Sequence, residues 1–427
     1  MNEQWAAYQD SKTFADRVAT LYGAGEDVLA LQKARYGKLV ERFEARFGAQ
    51  KGGLCFFSAP GRTEIGGNHT DHNNGRVLAA AVDLDTIACV SATEDHTIVV
   101  DSEGFAPITV KLDNLDVREK DFGTTLALIR GTAGVMREMG YKVGGFRATI
   151  SSSVLRGSGL SSSAAFEVLI AAILDGLYNG FIVDAKTRAV IAQKVENVYF
   201  GKPCGLMDQM VSSVGGFVFI DFEDTDNPKI EKLSCQFEDA GYVLCITDTK
   251  GSHADLTDDY AAIRSEMEAV AHAMGKSVLR QVAYEDFFAA LPELQTKVND
   301  RALIRAIHFY NDNRRVEDAV SCLEQGNFDG FLADINASGR SSFMYNQNVF
   351  TTKNPTDQRL GLALAISGQV LGDRGAYRVH GGGFAGTIQA FVPNDLLEQY
   401  RTVLEGVFGE GTCHVLQVRP VGGACLA

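Results

Sequence analysis

Apolar and polar positions follow two different periods along the chain, and these predict helices at its start and strands after them. Within residues 2–50, apolar side chains such as Leu21, Leu39 and Phe43 recur near helical spacing among charged residues, and Gly48 is a suitable end for a helix. This segment therefore predicts an amphipathic helical entry to the fold.

The pattern changes to short strand-like runs between Leu54 and Val100. The runs LCFFSA, RVLAAAVDLDTIACVSA and HTIVV are rich in apolar residues, and the turn-prone sequence NHTDHNNG separates the first two. Farther along, GFRATISSSV places Phe146, Ala148 and Ile150 on one face and polar residues on the other. This alternation predicts a strand with one buried face.

Two helices are predicted after this strand. Residues 163–178 are rich in alanine and leucine and free of proline, with Gly180 placed for a C-terminal cap, and a second helix is expected from Asp184 to Phe200. The run FVFIDFE then indicates another strand. The second half mixes strands at GYVLCITDT, AGTIQAFVP and HVLQVRP with helices over 255–274, 302–325 and 394–406. The sequence thus predicts an α/β (α+β) fold.

Length and charge narrow the interpretation further. A chain of 427 residues, 45% hydrophobic and 22% charged, has room for two domains of ordinary size, and we place their boundary near residues 215–225. The net charge of −14 disfavours nucleic acid as a partner, because a phosphate-binding surface needs a clustered excess of Lys and Arg. The oligomeric state stays open, and a monomer is compatible with the sequence.

The N-terminal residues and the cysteines indicate the cellular compartment of the protein. MNEQWAAYQDSK lacks the basic and then apolar layout of a secretion signal, and no uncharged apolar run approaches the roughly 18 residues of a membrane helix. The eight cysteines are scattered, without a CxxC pair or zinc-like spacing. We therefore expect reduced thiols in a cytoplasmic protein with no membrane partner, and keep only Cys204 open as a functional thiol.

The segment SSVLRGSGLSSSAAFEVL, residues 152–169, joins the predicted strand to the helix after it. Its glycines and serines at 157–159 and 161–163 bring unpaired backbone N–H groups and the positive end of a helix dipole to one place, where anions bind. The sequence GSGLSS is not the dinucleotide fingerprint, because serine stands where the third glycine belongs. From these residues alone, the segment is either a phosphate loop or a flexible surface turn.

A second polar segment, SAPGRTEIGGNHTDHNNGRVLAAAVD, spans residues 58–83. Its simplest interpretation is a pair of solvated turns around a strand. The alternative is a site for a polyhydroxylated ligand, which needs many hydrogen-bonding side chains; the segment supplies Arg62, Glu64, Asn68, His69, Asp71, His72 and Asn73. His69 and His72 could also be metal ligands, although no third His or Cys lies nearby in sequence.

The third segment, KVENVYFGKPCGLMDQMVSSVGG, covers residues 194–216 and contains two carboxylates at positions that tend to be buried. Glu196 lies in an apolar-leaning helix, and Asp208 lies between two methionines. A buried carboxylate is costly unless it is paired, protonated or bound to a metal. Each is therefore either part of a salt bridge in the core or functional, with Glu196 as a Mg²⁺ ligand and Asp208 as a general base.

The motifs SAPGRTEIGGNHTDHNNG, LRGSGLSSSAAFE, ENVYFGKPCGLMDQ and YRVHGGGFAGTIQAFVP occur in this order along the chain. Together they resemble the successive motifs of galactokinases, which are GHMP small-molecule kinases. The resemblance implies a two-domain GHMP kinase fold with ATP and a sugar bound in the cleft between the domains, and phosphorylation of the anomeric C1 hydroxyl of the sugar. It divides the chain into an N-terminal helical extension (1–36), an N-terminal kinase domain that binds the sugar and the ATP phosphates (37–220) and a C-terminal kinase domain (221–427).

The resemblance also implies a role for each matching residue. Asp208 would take the proton from the anomeric hydroxyl, and Arg62 would stabilise the developing charge. The ATP phosphates would lie in the loop formed by Gly157, Ser158, Gly159, Leu160, Ser161, Ser162 and Ser163. Mg²⁺ would be held by Ser162 or Ser163 together with Glu196. The sugar would contact Asn68, His69, Asp71, Gly205 and Tyr260.

The sugar segment departs from the usual galactokinase pattern G-R-x-N-L-I-G-E-H-T-D-Y-N. Glu64 stands in the asparagine position, and Asn68 stands in the position of a glutamate that contacts the sugar in the family. An amide both donates and accepts hydrogen bonds whereas a carboxylate only accepts, so the change bears on which sugar is bound. Galactose is the leading substrate, and the alternatives are N-acetylgalactosamine, arabinose or galacturonate, or a role as a non-catalytic sugar sensor.

Overall fold

The structure is a computed structural model that describes residues 2–48, 53–154, 159–235, 240–252 and 256–427. The helices are α1 Glu3–Gln9, α2 Lys12–Tyr22, α3 Glu26–Phe47, α4 Thr125–Glu138, α5 Ser162–Asn179, α6 Ala185–Val195, α7 Met207–Val214, α8 Thr257–Ala273, α9 Tyr284–Leu294, α10 Asp300–Glu324, α11 Phe328–Ser341, α12 Arg359–Leu371 and α13 Leu397–Phe408. The strands are β1 Cys55–Gly66, β2 Arg76–Thr93, β3 Thr97–Ser102, β4 Ile108–Lys111, β5 Gly145–Ser152, β6 Phe217–Asp221, β7 Lys229–Leu233, β8 Tyr242–Asp248, β9 Ala376–Val379, β10 Thr387–Pro393, β11 Cys413–Leu416 and β12 Ala424–Cys425.

Two sheets organise these elements. The larger follows the path β12-β1-β2-β5-β3-β4, and β6 and β7 continue from β2. Its pairings are antiparallel except that of β3 with β5. The smaller sheet is antiparallel in the order β11-β8-β10-β9. This mixture of helices and sheets confirms the predicted fold class. Strand β7 pairs with β6 in the larger sheet, although it lies after residue 220, where the predicted N-terminal kinase domain ends. The domain boundaries given above stay a prediction.

Helices α4, α5 and α6 cover the larger sheet and form its main core. Helix α5 is buried along most of its length, as its alanine- and leucine-rich sequence predicts, and Leu169 and Ile173 pack in one cluster with Val90 and Phe146 of the sheet. Helix α6 begins where predicted, with the side chain of Asp184 accepting from the backbone N–H of Thr187. The predicted helix to residue 200 instead ends at Val195 and continues as a π-helical turn over Glu196–Phe200.

The N-terminal helices are part of the folded core. Trp5, Phe14 and Tyr36 pack against Phe56 of β1 and against Leu426, and all five side chains are buried. The ring centroids of Trp5 lie 5.4 Å from Phe14 and 5.2 Å from Phe56. Burying one large apolar side chain contributes about 1.5–3 kcal/mol, so this cluster holds the helices firmly to the sheet.

A buried ion-pair network joins the same helices to the sheet. Asp85 of β2 lies 2.6 Å from Arg35 of α3 and 3.0 Å from Arg419, and it accepts a hydrogen bond of 2.6 Å from Tyr22. Burial alone would raise the pKa of Asp85, but the two guanidinium groups outweigh this effect and lower it. Burial also raises the pKa of Tyr22 to about 12. The network therefore has two cations around one ionised carboxylate.

Strand β1 runs farther than its first apolar residues indicate. It continues through Pro60 and Arg62 to Gly66, paired with β2, with irregular register between Pro60 and Arg62 and again between Glu64 and Gly66. The predicted solvated turn is wrong for this part of the segment, because Arg62 and Glu64 belong to a buried strand. The turn begins only after Gly66, where Asp71–Asn73 form a short 3₁₀ helix.

Candidate active site

The centre of the candidate site is an ion pair between Arg62 and Asp208. Arg62 comes from β1, and Asp208 lies in the first turn of α7, where a negative charge suits the helix dipole. Two guanidinium nitrogens of Arg62, Nε and Nη2, each lie 2.8 Å from Asp208 Oδ1. Since 34% of the Asp208 side chain is exposed, a ligand can reach this carboxylate.

The charge state of Asp208 follows from its surroundings. Burial would raise its pKa, but the Arg62 guanidinium and a hydrogen bond from the Ser161 hydroxyl to Oδ2 outweigh burial, so the pKa lies below its usual value. Asp208 is therefore ionised at neutral pH and can accept a proton. This arrangement favours the functional interpretation of Asp208, although it also contains the salt bridge that we considered as an alternative.

The start of α5 closes over the same ion pair. Arg62 donates from its backbone N–H to the carbonyl of Leu160 at 3.0 Å and from Nη1 to the carbonyl of Gly159. Ser161 has a left-handed backbone with φ of 56° and precedes the helix without a side-chain cap, so the first N–H groups of α5 are left for other partners. Gly157 and Ser158, the first residues of the predicted phosphate loop, lie outside the described residues.

A cavity of about 800 Å³ opens beside this helix start. Ser162 and Ser163 line one end of it, so the serines are continuous with a larger chamber. Its remaining lining combines apolar side chains with hydroxyls and a carboxylate, namely Phe105, Ile108, Leu128, Ile150, Phe166, Phe200, Thr86, Ser102, Glu103, Thr125, Ser152 and Ser153. A pocket that combines apolar and polar side chains in this way suits a small organic molecule. No sequence motif marks this chamber, because its lining comes from separate strands and helices.

The candidate sugar residues gather around the glycine run 381–383. His69 donates from Nε2 to the carbonyl of Gly382 at 2.9 Å, and Tyr260 donates to the carbonyl of Gly383, also at 2.9 Å. The Tyr260 ring packs edge-on against Phe384 at 5.4 Å between centroids. The structure thus brings together His69, from the segment after β1, and Tyr260 of α8.

Asp71 and Gly205 lie against each other in the same region. A Cβ atom added to Gly205 would stand 3.5 Å from Asp71 Oδ2, so the backbone at Gly205 comes close to this carboxylate. Burial raises the pKa of Asp71, the neighbouring His69 opposes this, and the charge of Glu64 raises the pKa further. Asp71, Gly205 and His69 therefore form one polar cluster.

Asn68 is completely buried, and its side chain has four protein partners. Nδ2 donates to Glu64 Oε1 at 3.0 Å and to the carbonyl of Gly381 at 2.8 Å. Oδ1 accepts from Ser342 at 3.2 Å and from Asn348 at 2.9 Å. These four bonds use the full capacity of an amide. The expectation that Asn68 contacts a ligand stays a prediction, and such a contact would require one of these bonds to open.

Glu196 meets a second carboxylate that the sequence analysis did not single out. Glu196 Oε2 accepts from Gln209 Nε2 at 2.6 Å, and the same nitrogen lies 3.2 Å from Oε2 of Glu167 on α5. Burial, and next the charge of Glu196, raises the pKa of Glu167 well above its usual value. The other oxygen of Glu196 faces Lys202 at 3.4 Å, whose side chain is largely exposed.

Ser162, Ser163 and Glu196, the predicted metal ligands, have donor atoms that suit a hard divalent cation. Serine hydroxyls and a carboxylate supply the oxygen ligands that Mg²⁺ prefers, and phosphates and water commonly complete its shell. Within the described residues, His, Cys, Asp and Glu form no cluster of three or more that could hold a metal on its own. A cation here would therefore complete its shell with phosphate or water oxygens.

Two further alternatives from the sequence concern His69, His72 and Cys204. The rings of His69 and His72 lie 5.7 Å apart, and Nε2 of His69 donates to the carbonyl of Gly382, so this nitrogen is not available to a metal. In the part of the chain that is described, no third ligand joins them. For Cys204, burial raises the pKa strongly and Glu196 adds to the effect, so its thiol stays protonated and is a poor nucleophile.

Comparison with known proteins adds independent information. Residues 41–92 match the family model described as the galactokinase galactose-binding signature, and residues 127–216 match that of the GHMP kinases N terminal domain. The galactokinase of Streptomyces coelicolor is 30% identical over 398 residues, which are 91% of this chain and 97% of that protein. The first match contains Arg62, and the second contains Asp208.

Solved structures share the fold. The Lactococcus lactis galactokinase, determined in complex with galactose, superimposes with a TM-score of 0.76 at 24% identity, covering 91% of this chain and 99% of that one. The mevalonate kinase of Methanococcus jannaschii gives 0.62 at 15% identity, covering 86% and 99%. Among the described residues, no helix is both long enough and apolar enough to cross a membrane.

Proposed function

Because the chain belongs to the galactokinase family of the GHMP kinases, we propose that it transfers the γ-phosphoryl group of ATP to the anomeric hydroxyl of galactose. The observation that carries the proposal is the contact of Asp208 with both Arg62 and Ser161, at the start of the helix whose next two serines line the cavity. In this proposal the cavity holds the nucleotide, and the polar residues around Asp71 hold the sugar.

Asp208 is the proposed proton acceptor. An alcohol is a poor nucleophile at neutral pH. A carboxylate within hydrogen-bond reach can accept its proton as the new O–P bond forms. In the structure Asp208 is bonded to both Arg62 and Ser161, which makes it a weak base. We infer that the arriving γ-phosphate competes for these two donors, so that Asp208 becomes more basic as Arg62 turns to the transferring phosphoryl group.

The start of α5 is the proposed phosphate cradle. Gly159, Leu160, Ser161, Ser162 and Ser163, together with the positive end of the helix dipole, suit the negative oxygens of ATP. The chamber that begins at Ser162 and Ser163 is the proposed seat of the nucleoside. Gly157 and Ser158 complete the cradle in this proposal.

Ser162 or Ser163, with Glu196, would hold Mg²⁺ beside the phosphates. When bound, such a cation neutralises phosphate charge. The chain's own part is to orient Glu196 through the hydrogen bond that it accepts from Gln209. His69, Asp71, Gly205 and Tyr260 are the proposed sugar contacts, and Asn68, which is fully buried, would join them if one of its four bonds opened. The eight cysteines are free thiols, which suits a cytoplasmic enzyme.

The decisive experiment measures ADP formation from ATP and Mg²⁺ with galactose, N-acetylgalactosamine, arabinose, galacturonate, glucose and mannose. The expected result is turnover with galactose that is lost in Asp208→Asn. Turnover confined to another sugar would refute the proposed substrate and leave the reaction class intact. Sugar binding without turnover of any sugar in the panel would refute the kinase proposal and favour a sensor.

A further inference from the structure

The sugar segment carries Glu64 where galactokinases usually have asparagine and Asn68 where they usually have glutamate. The position of the Glu64 carboxylate is therefore of interest. Residues 62–64 of β1 pair in regular register with residues 79–81 of β2, so their side chains alternate between the two faces of the strand. Glu64 therefore points to the same side as Arg62. Thr63 points to the other side, where it contacts His380 at 2.9 Å and Gln389 at 2.7 Å.

The carboxylate of Glu64 is held by one oxygen only. Oε1 accepts from Arg378 Nη2 at 2.7 Å and from Asn68 Nδ2 at 3.0 Å. Among the described residues, no donor bonds to Oε2. A buried oxygen without a hydrogen-bond partner would be recognised as such, and Oε2 is not one of these, so it is accessible to solvent. Although Glu64 is mostly enclosed, 10% of its side chain is exposed.

The accessible oxygen lies near the residues that we propose as sugar contacts. Glu64 is bonded to Asn68, which also donates to the carbonyl of Gly381, and the adjacent His69 donates to the carbonyl of Gly382. Glu64 is also on the same side of β1 as Arg62, the partner of Asp208. Asn68 itself is fully buried and anchors Glu64. Arg378 is itself fully buried and donates a second bond, of 2.7 Å, to the carbonyl of Ile65. Glu64 is thus rigidly positioned with one free acceptor.

We propose that Glu64 is a substrate-binding and specificity-determining residue of this chain, and that its free oxygen accepts a hydrogen bond from a sugar hydroxyl while Asn68 and Arg378 fix its orientation. This inference rests on the proposed function, because it takes the polar residues around Asp71 to be the sugar site. A carboxylate only accepts hydrogen bonds, so the position that it contacts must carry a hydroxyl. A sugar without that hydroxyl leaves a charged acceptor unpaired, which costs affinity.

The test pairs enzyme variants with sugar variants. Wild type, Glu64→Gln and the control Ser342→Ala are compared for kcat/KM with galactose and its 2-, 3-, 4- and 6-deoxy analogues. For wild type, we expect kcat/KM to be about tenfold lower or more with one deoxy sugar than with galactose, in addition to the effect of any other contact that the missing hydroxyl makes. For Glu64→Gln, we expect this tenfold difference to disappear. Ser342→Ala removes one bond behind Asn68 and should keep the wild-type pattern.

Two further readouts separate a sugar contact from a structural role. Affinity for a non-hydrolysable ATP analogue without sugar should be unchanged in Glu64→Gln, and its melting temperature should show that it folds. If that variant does not fold, Glu64→Asp, which keeps the charge and withdraws the oxygen, replaces it with the same expectation.

An unchanged deoxy-sugar pattern in a folded Glu64 variant would overturn the inference while leaving the kinase proposal intact. If wild type turns over no sugar, the kinase proposal fails, and calorimetric binding of the same sugar series still decides the role of Glu64. A loss of discrimination in Ser342→Ala equal to that in Glu64→Gln would also overturn the inference, because it would assign the effect to the buried network.

Discussion

Replacing Asp208 by asparagine tests the centre of the proposed mechanism. The change keeps the shape of the side chain, and the amide oxygen can still accept from Arg62 across the present 2.8 Å. The amide nitrogen faces the Ser161 hydroxyl, which can rotate to accept. We therefore expect folding to survive with a loss of no more than about 3 kcal/mol, the upper end of the range for hydrogen bonds to charged groups.

The expected loss of activity is much larger than the loss of stability. An amide cannot take up the proton of the sugar hydroxyl, and a positioned base contributes about 10²–10⁴-fold to rate. At about 1.36 kcal/mol for each tenfold change, this corresponds to about 3–5 kcal/mol of activation free energy. The assay is ADP formation at saturating ATP and galactose, accompanied by titration of a non-hydrolysable ATP analogue in the absence of sugar.

Ser161→Ala is the matched control for this prediction. It removes the other hydrogen bond to Asp208 and leaves both the carboxylate and Arg62 in place. We expect a smaller loss of turnover than in Asp208→Asn. Turnover of Asp208→Asn within tenfold of wild type, with a normal melting temperature, would refute the assignment of Asp208 as the base and attribute catalysis to positioning of the substrates.

Three further predictions concern stability. Because Asp85 has a lowered pKa in the fold, its contribution to stability is fully present above its unfolded pKa of about 3.9 and is lost as the pH falls through the lower folded pKa, so wild type and Asp85→Asn should converge in melting temperature as the pH falls below about 3.9. Trp5→Ala should cost about 3–5 kcal/mol in urea unfolding, and a loss below 1 kcal/mol would mean that the N-terminal helices are not part of the cooperative core. Asn68→Glu, which resembles the usual galactokinase residue, should destabilise the fold because it places a second carboxylate beside Glu64; unchanged melting temperature at pH 7 would contradict the buried network.

Local sequence patterns predicted those elements whose signals lie within one segment. Strand β5 shows a clear alternation, and helix α5 combines alanine and leucine with a terminal glycine, so both form where expected. Helix α12 was not predicted. It begins after Gln358 without a side-chain cap and contains three glycine or serine positions, so its sequence carries weak local signals, and packing against the smaller sheet stabilises it.

The site shows the same division. The motifs placed Arg62 and Asp208 in one site although they are 146 positions apart, because the order of the motifs resembles a known family. The partners that give each side chain its role carry no such signal. Arg378, which fixes Glu64, lies 314 positions from it, and no periodicity or spacing links the two. Burial of Asn68 likewise depends on Ser342 and Asn348, so a residue that matches a ligand position in the motif can be enclosed by a distant segment.

The pairing of β12 with β1 bears on how the chain folds during synthesis. Phe57 and Ser58 of β1 pair with Cys425 and Ala424, so one edge of β1 stays open until β12 leaves the ribosome. At about 5–20 residues per second, the 358 positions from Gly66 to Ala424 take on the order of 20–70 seconds to translate. During that time Phe56 and the aromatic residues of α1 and α2 lack the cover that Leu426 supplies. The nascent chain therefore presents an unpaired edge and an apolar surface together, a combination that makes folding intermediates prone to aggregate.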